Sequence, residues 1–556
     1  MQTYLPITRG PIFRNYLSLW GKYFFDQFRG KNTFLNFGKN LRPVKRLVTD
    51  RPLTVWFPTT FFLDRGLAWQ TTIARAMEIR GHRIVFSHFD ITFPRRNGLY
   101  FDLQDRGFIM PYYRLYTNAL LSGFRFNHKP FSHFGNGKKF QQYRSYLEKF
   151  SLTECKTFVY HQLQLGMYVQ NPLIHYFRCS QTTSGPEILD AWKDFLAIGM
   201  VMVDTFERAF YEIKPSILFI LNGSFLDSRL QLEIAKRLGI RVITFEAGFM
   251  LNTLMLGINE PIINFPMKKY LPIQYRTHRL TPSQDEQLNI YLQNRSKGEK
   301  NIFNYWKAPI FDDKKIRAEI GLSSTEKPDI LFTNLLWDSA LLDCDIAFTN
   351  QIEWIRETIA WYAKHLDRKL LIRIHPAEIN PHNLSTTERI EVSLREYYPI
   401  LPSNVIVIPP SSKISSYPLT ALANLSIVYS STAGIEAAMM GKPVIVAGKT
   451  HYRGQGFTHD ITNRTQYYKL LSQPVLPTVA EELVAAARKY SFFFFFGYNI
   501  PFPLVLEHVS NFREPSVEYN FTDEQQLLPG KQAELDFIID VLLSRRDYSD
   551  RLRLML

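Results

Sequence analysis

Ser430, Ser431 and Thr432 place three hydroxyls side by side, directly after the apolar run Leu425 to Tyr429. A short apolar run bounded by turn residues reads as a buried parallel strand. Gly434 to Met440 then reads as a short helix, stopped by Gly441 with Pro443 close behind, and Val444 to Val446 as the next strand. The turn between strand and helix aims hydroxyls and open backbone N–H groups at one point, at the positive end of a helix dipole. Such a point holds anions, most often phosphate. The three residues are expected to supply an N-cap, and Glu436, one turn beyond Thr432, a partner for a sugar hydroxyl beside the phosphate. The plain alternative is that these serines only cap the helix.

Upstream, Lys369 to Ile374 reads as a strand that contains Arg373 and ends at His375-Pro376. In open α/β sheets, ligands sit beyond the carboxyl ends of strands. His375 and the serine turn both occupy such ends, and a spacing of roughly 55 residues fits two βα units of one sheet. Together they can grip one monophosphate or diphosphate. Asn334, with Trp337 and Asp338, falls in the first loop of the same unit, after the strand Asp329 to Thr333. Tyr452 and Arg453 lie in the glycine-flanked loop that follows Val446, and this loop is expected to fold over whatever carries the phosphate.

These segments resemble the bacterial capsule polysaccharide biosynthesis proteins. The resemblance rests on His375-Pro376, on Ser430-Ser431-Thr432 with Gly434, Glu436 and Gly441-Lys442-Pro443-Val444, and on Gly448 to Asp460. It extends to Phe245-Glu246-Ala247-Gly248-Phe249, followed by Leu256-Gly257, and covers roughly residues 215–470. That family includes the Kdo transferases of capsule assembly, and bacterial sialyltransferases carry similar elements. The resemblance implies a GT-B glycosyltransferase: an α/β protein of two Rossmann-like domains facing a cleft, with a C-terminal helix crossing back. It implies a nucleotide-sugar donor, CMP-linked by preference, held by the C-terminal domain. A glycan or glycolipid acceptor would be the second partner. No cofactor and no metal are implied.

Glycosyl transfer needs a stabilised leaving phosphate and a base for the acceptor hydroxyl. His375 and the serine turn are expected to supply the first. A carboxylate of the N-terminal domain is expected to supply the second, or to act as a nucleophile. Glu246 occupies the acidic motif and is the first candidate. Relatives carry a second acidic residue where this chain has Ala247, so Asp64 and Asp227 stand as further candidates, and inversion or retention stays open. Asp64 follows the first strand, where it would equally serve as a helix cap. A CDP-glycerol-type glycerophosphotransferase, a nucleotide-sugar 2-epimerase and a non-catalytic polysaccharide-binding protein remain alternatives on the same scaffold.

The remaining sequence sets the frame. A chain of 556 residues exceeds one hydrophobic core. The expected organisation is a basic, aromatic extension over 1–50, a Rossmann-like acceptor domain over 51–300, a linker over 301–327, a donor domain over 328–515 and a helical segment over 516–556. The acceptor domain opens with strands at Leu53 to Phe57 and Arg83 to Ser87 around a helix from Gly66 to Arg80. It resumes with strands at Ser216 to Leu221 and Arg241 to Phe245. Residues 100–190 are too aromatic to parse. Net charge is +15. No nucleic-acid motif accompanies it, and an anionic membrane surface or an anionic sugar is the better match. Three cysteines lack metal or disulfide spacing, which suggests a reduced, cytoplasmic setting, and no apolar run is long enough to span a bilayer. The run Phe492 to Phe496 reads as a buried hinge in preference to a lipid-docking site. Asp343 and Asp345 read as a solvated helix start, and His451 and His459 as incidental loop residues.

Overall fold

The computed structural model describes residues 34–59, 64–93, 106–180, 185–297, 309–338, 341, 343–379, 386–473, 480–510 and 513–556. Two parallel sheets dominate it. The first contains β1 (Thr54–Thr59), β2 (Arg83–His88), β3 (His128–Pro130), β4 (Ile217–Leu221), β5 (Arg241–Ala247) and β6 (Thr253–Ile258). They lie in the order β6-β5-β4-β1-β2-β3, with β6 antiparallel to β5. The second contains β7 (Asp329–Phe332), β8 (Leu370–Arg373), β9 (Val405–Ile408), β10 (Leu425–Val428), β11 (Val444–Val446) and β12 (His459–Asp460). Their order, β9-β8-β7-β10-β11-β12, is that of a doubly wound nucleotide-binding sheet. β7, β8 and β10 are buried at every position, which is why they read as continuous apolar runs without alternation.

Helices cover both faces. Residues 131–180 and 185–213, much of them opaque in the sequence, form a helical layer that includes the 28-residue helix Pro186–Ile213. That layer packs on the first sheet through Trp192, Phe195, Phe206 and Phe210. Aromatic side chains fill its contacts, so the polar half of a helical pattern is thin. No helix among the described residues is long and apolar enough to cross a membrane. Cys155, Cys179 and Cys344 are buried and form no disulfide.

The segment expected as a linker, 301–327, holds the helix Asp313–Ile320, and the helix Pro282–Lys297 lies just before it. Leu288 and Tyr291 of the latter are buried, and Tyr291 packs on Phe495 with ring centroids 4.3 Å apart. The chain also returns to the first domain earlier than residue 516. After the helix Glu481–Phe492, a π-helical turn over Phe493–Tyr498 leads into β13 (Ile500–Pro501), which pairs antiparallel with β6. The hairpin of β14 (Val505–Ser510) and β15 (Arg513–Tyr519) then lies against the helix Asp64–Ile79. The phenylalanine run is therefore a buried junction between the two halves, as expected. The helix Ala533–Leu542 follows where a last helix was expected. Two Rossmann-like sheets facing a cleft, with a C-terminal return, make the GT-B arrangement.

Candidate active site

The winding of the second sheet reverses between β7 and β10, so a crevice opens outside their carboxyl ends. Three loops meet there. Ser430 N–H donates to Asn334 Oδ1 at 3.4 Å, linking the loops after β10 and β7. Asn334 is itself clamped by Gln351, which accepts from its N–H at 2.8 Å and donates to its carbonyl at 3.0 Å. From the loop after β8, His375 N–H donates to Thr333 Oγ1 at 3.1 Å. Asn334, His375 and the serine turn thus stand together on one wall of a cleft of about 1270 Å³.

The imidazole of His375 has a defined hydrogen-bonding sense. Ala377 N–H donates to Nδ1 at 3.2 Å. Burial, reinforced by Arg373, pushes its pKa down to about 4, so the ring is neutral near pH 7. A neutral ring whose Nδ1 accepts must carry its proton on Nε2. His375 is therefore built as an uncharged Nε2–H donor.

In the turn itself, the helix is Ala433–Met439, and Thr432 makes no side-chain cap. Ser431 takes that role, with Oγ accepting from Ala433 N–H at 3.2 Å. Ser430 Oγ is buried and bonds no group of the protein among the described residues. A buried hydroxyl left in this state costs about 1–3 kcal/mol unless a ligand meets it. Tyr452 is wholly buried and stands beneath the cleft wall, where its hydroxyl donates to Ser431 O at 2.7 Å. It supports the turn from below. A Cβ on Gly434 would lie 2.2 Å from that hydroxyl, which explains the glycine.

Three other expected donor contacts are committed elsewhere. Arg373 is buried and donates to the carbonyls of Pro409, Ser412 and Ile414, and burial pulls its pKa down to about 10. Arg453 donates to the carbonyls of Val446, Gly448 and Ile461, which pins its loop shut. Glu436 accepts from Arg295 Nε at 2.5 Å, in an ion pair that spans from the helix Pro282–Lys297. All three side chains line the cleft as parts of its frame. Their partners come from distant segments, so spacing along the chain carries no signal of them.

The opposite wall is the carboxyl edge of the first sheet. Glu246 is the penultimate residue of β5. Asn222, just beyond β4, donates from Nδ2 to Glu246 Oε2 at 3.1 Å, and Ala247 N–H donates to Oε1 at 2.9 Å. Each carboxylate oxygen keeps acceptor capacity. Among the described residues, Glu246 is the one carboxylate that the first domain contributes to the cleft, where Ala247 lies beside it. Asp227 is buried in the helix Leu226–Arg237, off the cleft wall. The side chain of Asp64 lies outside the described residues. Asp343 and Asp345 precede no helix directly: Asp343 has φ 55°, and Asp345 accepts from the Tyr429 hydroxyl. Among the described residues no cluster of three metal-ligating side chains occurs.

Several residues emerge only from the fold. Lys268 reaches across the cleft and donates to Arg453 O. His451 lines the cleft, whereas His459 sits in β12 away from it. Behind His375, Glu378 is buried; among the described residues Oε1 bonds no group of the protein and Oε2 accepts a 3.4 Å contact from Ile390 N–H. Burial pushes its pKa up from 4.5 to about 7. The folded state then holds the proton more tightly than the unfolded chain does. This contribution to stability is present below pH 4.5 and is lost as pH rises through about 7. It amounts to roughly 3 kcal/mol. Glu378→Gln is expected to raise the thermal midpoint at pH 8 and to change it little at pH 5, as measured by thermal unfolding. An equal change at both pH values would contradict this.

Residues 251–492 match the family of capsule polysaccharide biosynthesis proteins. No curated protein matches the chain. Among solved structures, the Thermosulfurimonas dismutans KpsC beta Kdo 2,4 transferase is similar at 17% identity, over 49% of this chain and 79% of that one, with a TM-score of 0.31. The Neisseria meningitidis UDP-GlcNAc 2-epimerase is similar at 12% identity, over 80% and 97%, with a TM-score of 0.24. The Streptomyces nogalater glycosyltransferase SnogD is similar at 11% identity, over 79% and 96%, with a TM-score of 0.23. The resemblance read from the His-Pro and serine-turn motifs is thus met by a family match, the Phe-Glu-Ala-Gly-Phe motif lies just before it, and residues 251–492 form a segment of capsule polysaccharide biosynthesis type.

Proposed function

We propose that this protein is a glycosyltransferase that moves a sugar, an acidic one such as Kdo, from a nucleotide-sugar donor to a surface polysaccharide or lipid-linked glycan. One observation carries the reading. A carboxylate with open lone pairs on one wall faces a neutral histidine donor and a hydroxyl-lined turn on the other. The donor's phosphate lies against His375 Nε2–H, Ser430 Oγ and the N–H groups that open the helix Ala433–Met439. Charge building on the leaving phosphate meets fixed donors that need no reorganisation. The acceptor hydroxyl lies by Glu246, which takes its proton as the new bond forms. CMP is the favoured nucleotide by resemblance, and no metal is required in this scheme.

The test is to incubate the purified protein with CMP-, CDP-, UDP- and GDP-linked sugars, with and without a chelator, and to follow nucleotide release. Release from a nucleotide sugar supports transfer or its hydrolytic side reaction. Interconversion of UDP-sugars without release would identify an epimerase, and release only from CDP-glycerol a glycerophosphotransferase. No turnover of any donor would leave a binding protein.

The acceptor is proposed to be presented at an anionic membrane surface. Residues 1–33 of the basic extension lie outside the described residues, but its end supports the idea. Val48 is 95% exposed and Leu47 44% exposed, among exposed Arg42, Lys45, Arg46 and Arg51. This strap runs along the turn before β2, with Leu47 N–H donating to Ile79 O at 2.7 Å, and Arg83 nearby is also exposed. Apolar tips among cations suit a bilayer interface, where each basic residue contributes about 1 kcal/mol. Full-length protein is expected to co-sediment with anionic vesicles, less so as salt rises, and hardly with neutral ones. The double change Leu47→Ser with Val48→Ser should weaken this binding. Indifference to anionic vesicles at low salt would make a soluble acceptor the better reading.

A further inference from the structure

His451 sits where the two domains meet. Its ring stacks on Phe494, with centroids 3.9 Å apart, and meets Phe265 of the first domain at 5.7 Å. Phe265 in turn packs on Phe249, two residues past Ala247 in the loop that follows Glu246. The ring therefore lies between the anion-binding wall and the carboxylate wall.

The hydrogen bonds define which ring nitrogen is open. Tyr490 has one hydroxyl proton, and it donates this to His451 O at 2.7 Å. The same oxygen lies 3.2 Å from His451 Nδ1, so that contact must be Nδ1–H donating to Tyr490. Burial, with Lys268 nearby, pushes the ring's pKa down to about 3, so it carries no second proton. Nε2 is then a bare lone pair. It is buried and bonds no group of the protein among the described residues. His375 presents the opposite sense, an Nε2–H, on the same cleft. One neutral histidine offers a proton and the other asks for one.

A bare lone pair repels phosphate and carboxylate oxygens and accepts only from O–H or N–H. We propose that His451 Nε2 accepts a hydrogen bond from a hydroxyl of the sugar carried by the nucleotide-sugar donor. The placement favours the sugar over the base: the sugar must bridge the phosphate at Ser430 and the acceptor at Glu246, and His451 stands between those walls. This inference rests on the reading of the cleft as a nucleotide-sugar site. His451 then selects for a sugar with a hydroxyl at that position, and a donor lacking that one hydroxyl would leave the lone pair unmet.

The experiment is calorimetric titration of the intact protein with a CMP-linked acidic sugar and with CMP alone. If the donor panel selects another nucleotide, its sugar conjugate and free nucleotide replace them. His451→Phe keeps an aromatic ring on Phe494 and removes the acceptor. It is expected to weaken nucleotide-sugar binding about tenfold, the scale of one lost hydrogen bond, and to leave free-nucleotide binding within about twofold. Tyr490→Phe, which removes the contact that fixes the ring's proton, should give a smaller loss of the same pattern. It serves as the test if His451→Phe fails to fold. Unchanged nucleotide-sugar affinity in these variants, or an equal loss for free nucleotide, overturns the inference alone. Wild-type protein that binds no nucleotide sugar overturns it together with the proposed function.

Discussion

Glu246→Gln is expected to lower turnover by about 10²–10⁴, the range for loss of a general base, while leaving donor affinity nearly unchanged. The split follows from the geometry. Glu246 lies at the end of β5 in the first sheet, and the anion wall belongs to the second. Glutamine fills the same volume, so the fold should stand. Asn222 Nδ2 and Ala247 N–H donate to different carboxylate oxygens, however, and in glutamine one of those two positions becomes an NH₂ that can only donate. One of those donors loses its partner, and no group remains to take the acceptor's proton. Glu246→Asp keeps the charge but draws it back by one methylene, and should fall between. The measurements are steady-state turnover with donor and acceptor, and donor binding by calorimetry. Full turnover in Glu246→Gln would move the base to another carboxylate, with Asp64 next in line. A parallel loss of donor affinity would show that Glu246 belongs to the donor site.

The second sheet was legible for a plain reason. Its strands β7, β8, β10 and β11 are buried on both faces, so they appear as apolar runs between turn residues, and they fall within a residue or so of their expected bounds. His375 and the serine turn were legible because they sit at strand ends, where chain order and sheet order together place a ligand. What spacing did not show was where long side chains find their partners. Arg373 at the end of β8, Glu436 in the helix Ala433–Met439, and Tyr452 and Arg453 in the loop after β11 lie where expected along the chain, yet they bond Ile414, Arg295, Ser431 and Ile461. Those partners are fixed by tertiary packing, on which sequence spacing is silent. His451, read as an incidental loop residue, lines the cleft. A loop histidine carries no signal until Tyr490 and Phe494, some forty residues on, are seen to hold its ring. The early return at β13 was hidden by the phenylalanine run. Five like residues have no apolar period, so the π-helical turn they form could not be read.

His375→Ala is expected to lower turnover by about 10²–10³, the effect of removing one preorganised donor from a developing negative charge. Donor affinity should fall much less, because ground-state phosphate keeps Ser430 and the N–H groups of the turn. His375→Gln tests the chemistry more finely. Its terminal amide can place an N–H near the position of Nε2, so partial recovery over alanine would show that a neutral donor suffices. The pH profile separates this role from acid–base catalysis. His375 gains a proton only as pH falls through about 4, because burial disfavours the charged ring. Its titration should therefore leave no inflection between pH 5.5 and 8, and any limb seen there must belong to another group. If wild-type turnover shows a limb near pH 6.5 that His375→Gln abolishes, the ring is charging in the working enzyme. The uncharged-donor assignment would then be wrong. If His375→Ala retains full turnover at unchanged donor affinity, the anion must sit elsewhere in the cleft, and the convergence of His375, Asn334 and the serine turn would be structural alone.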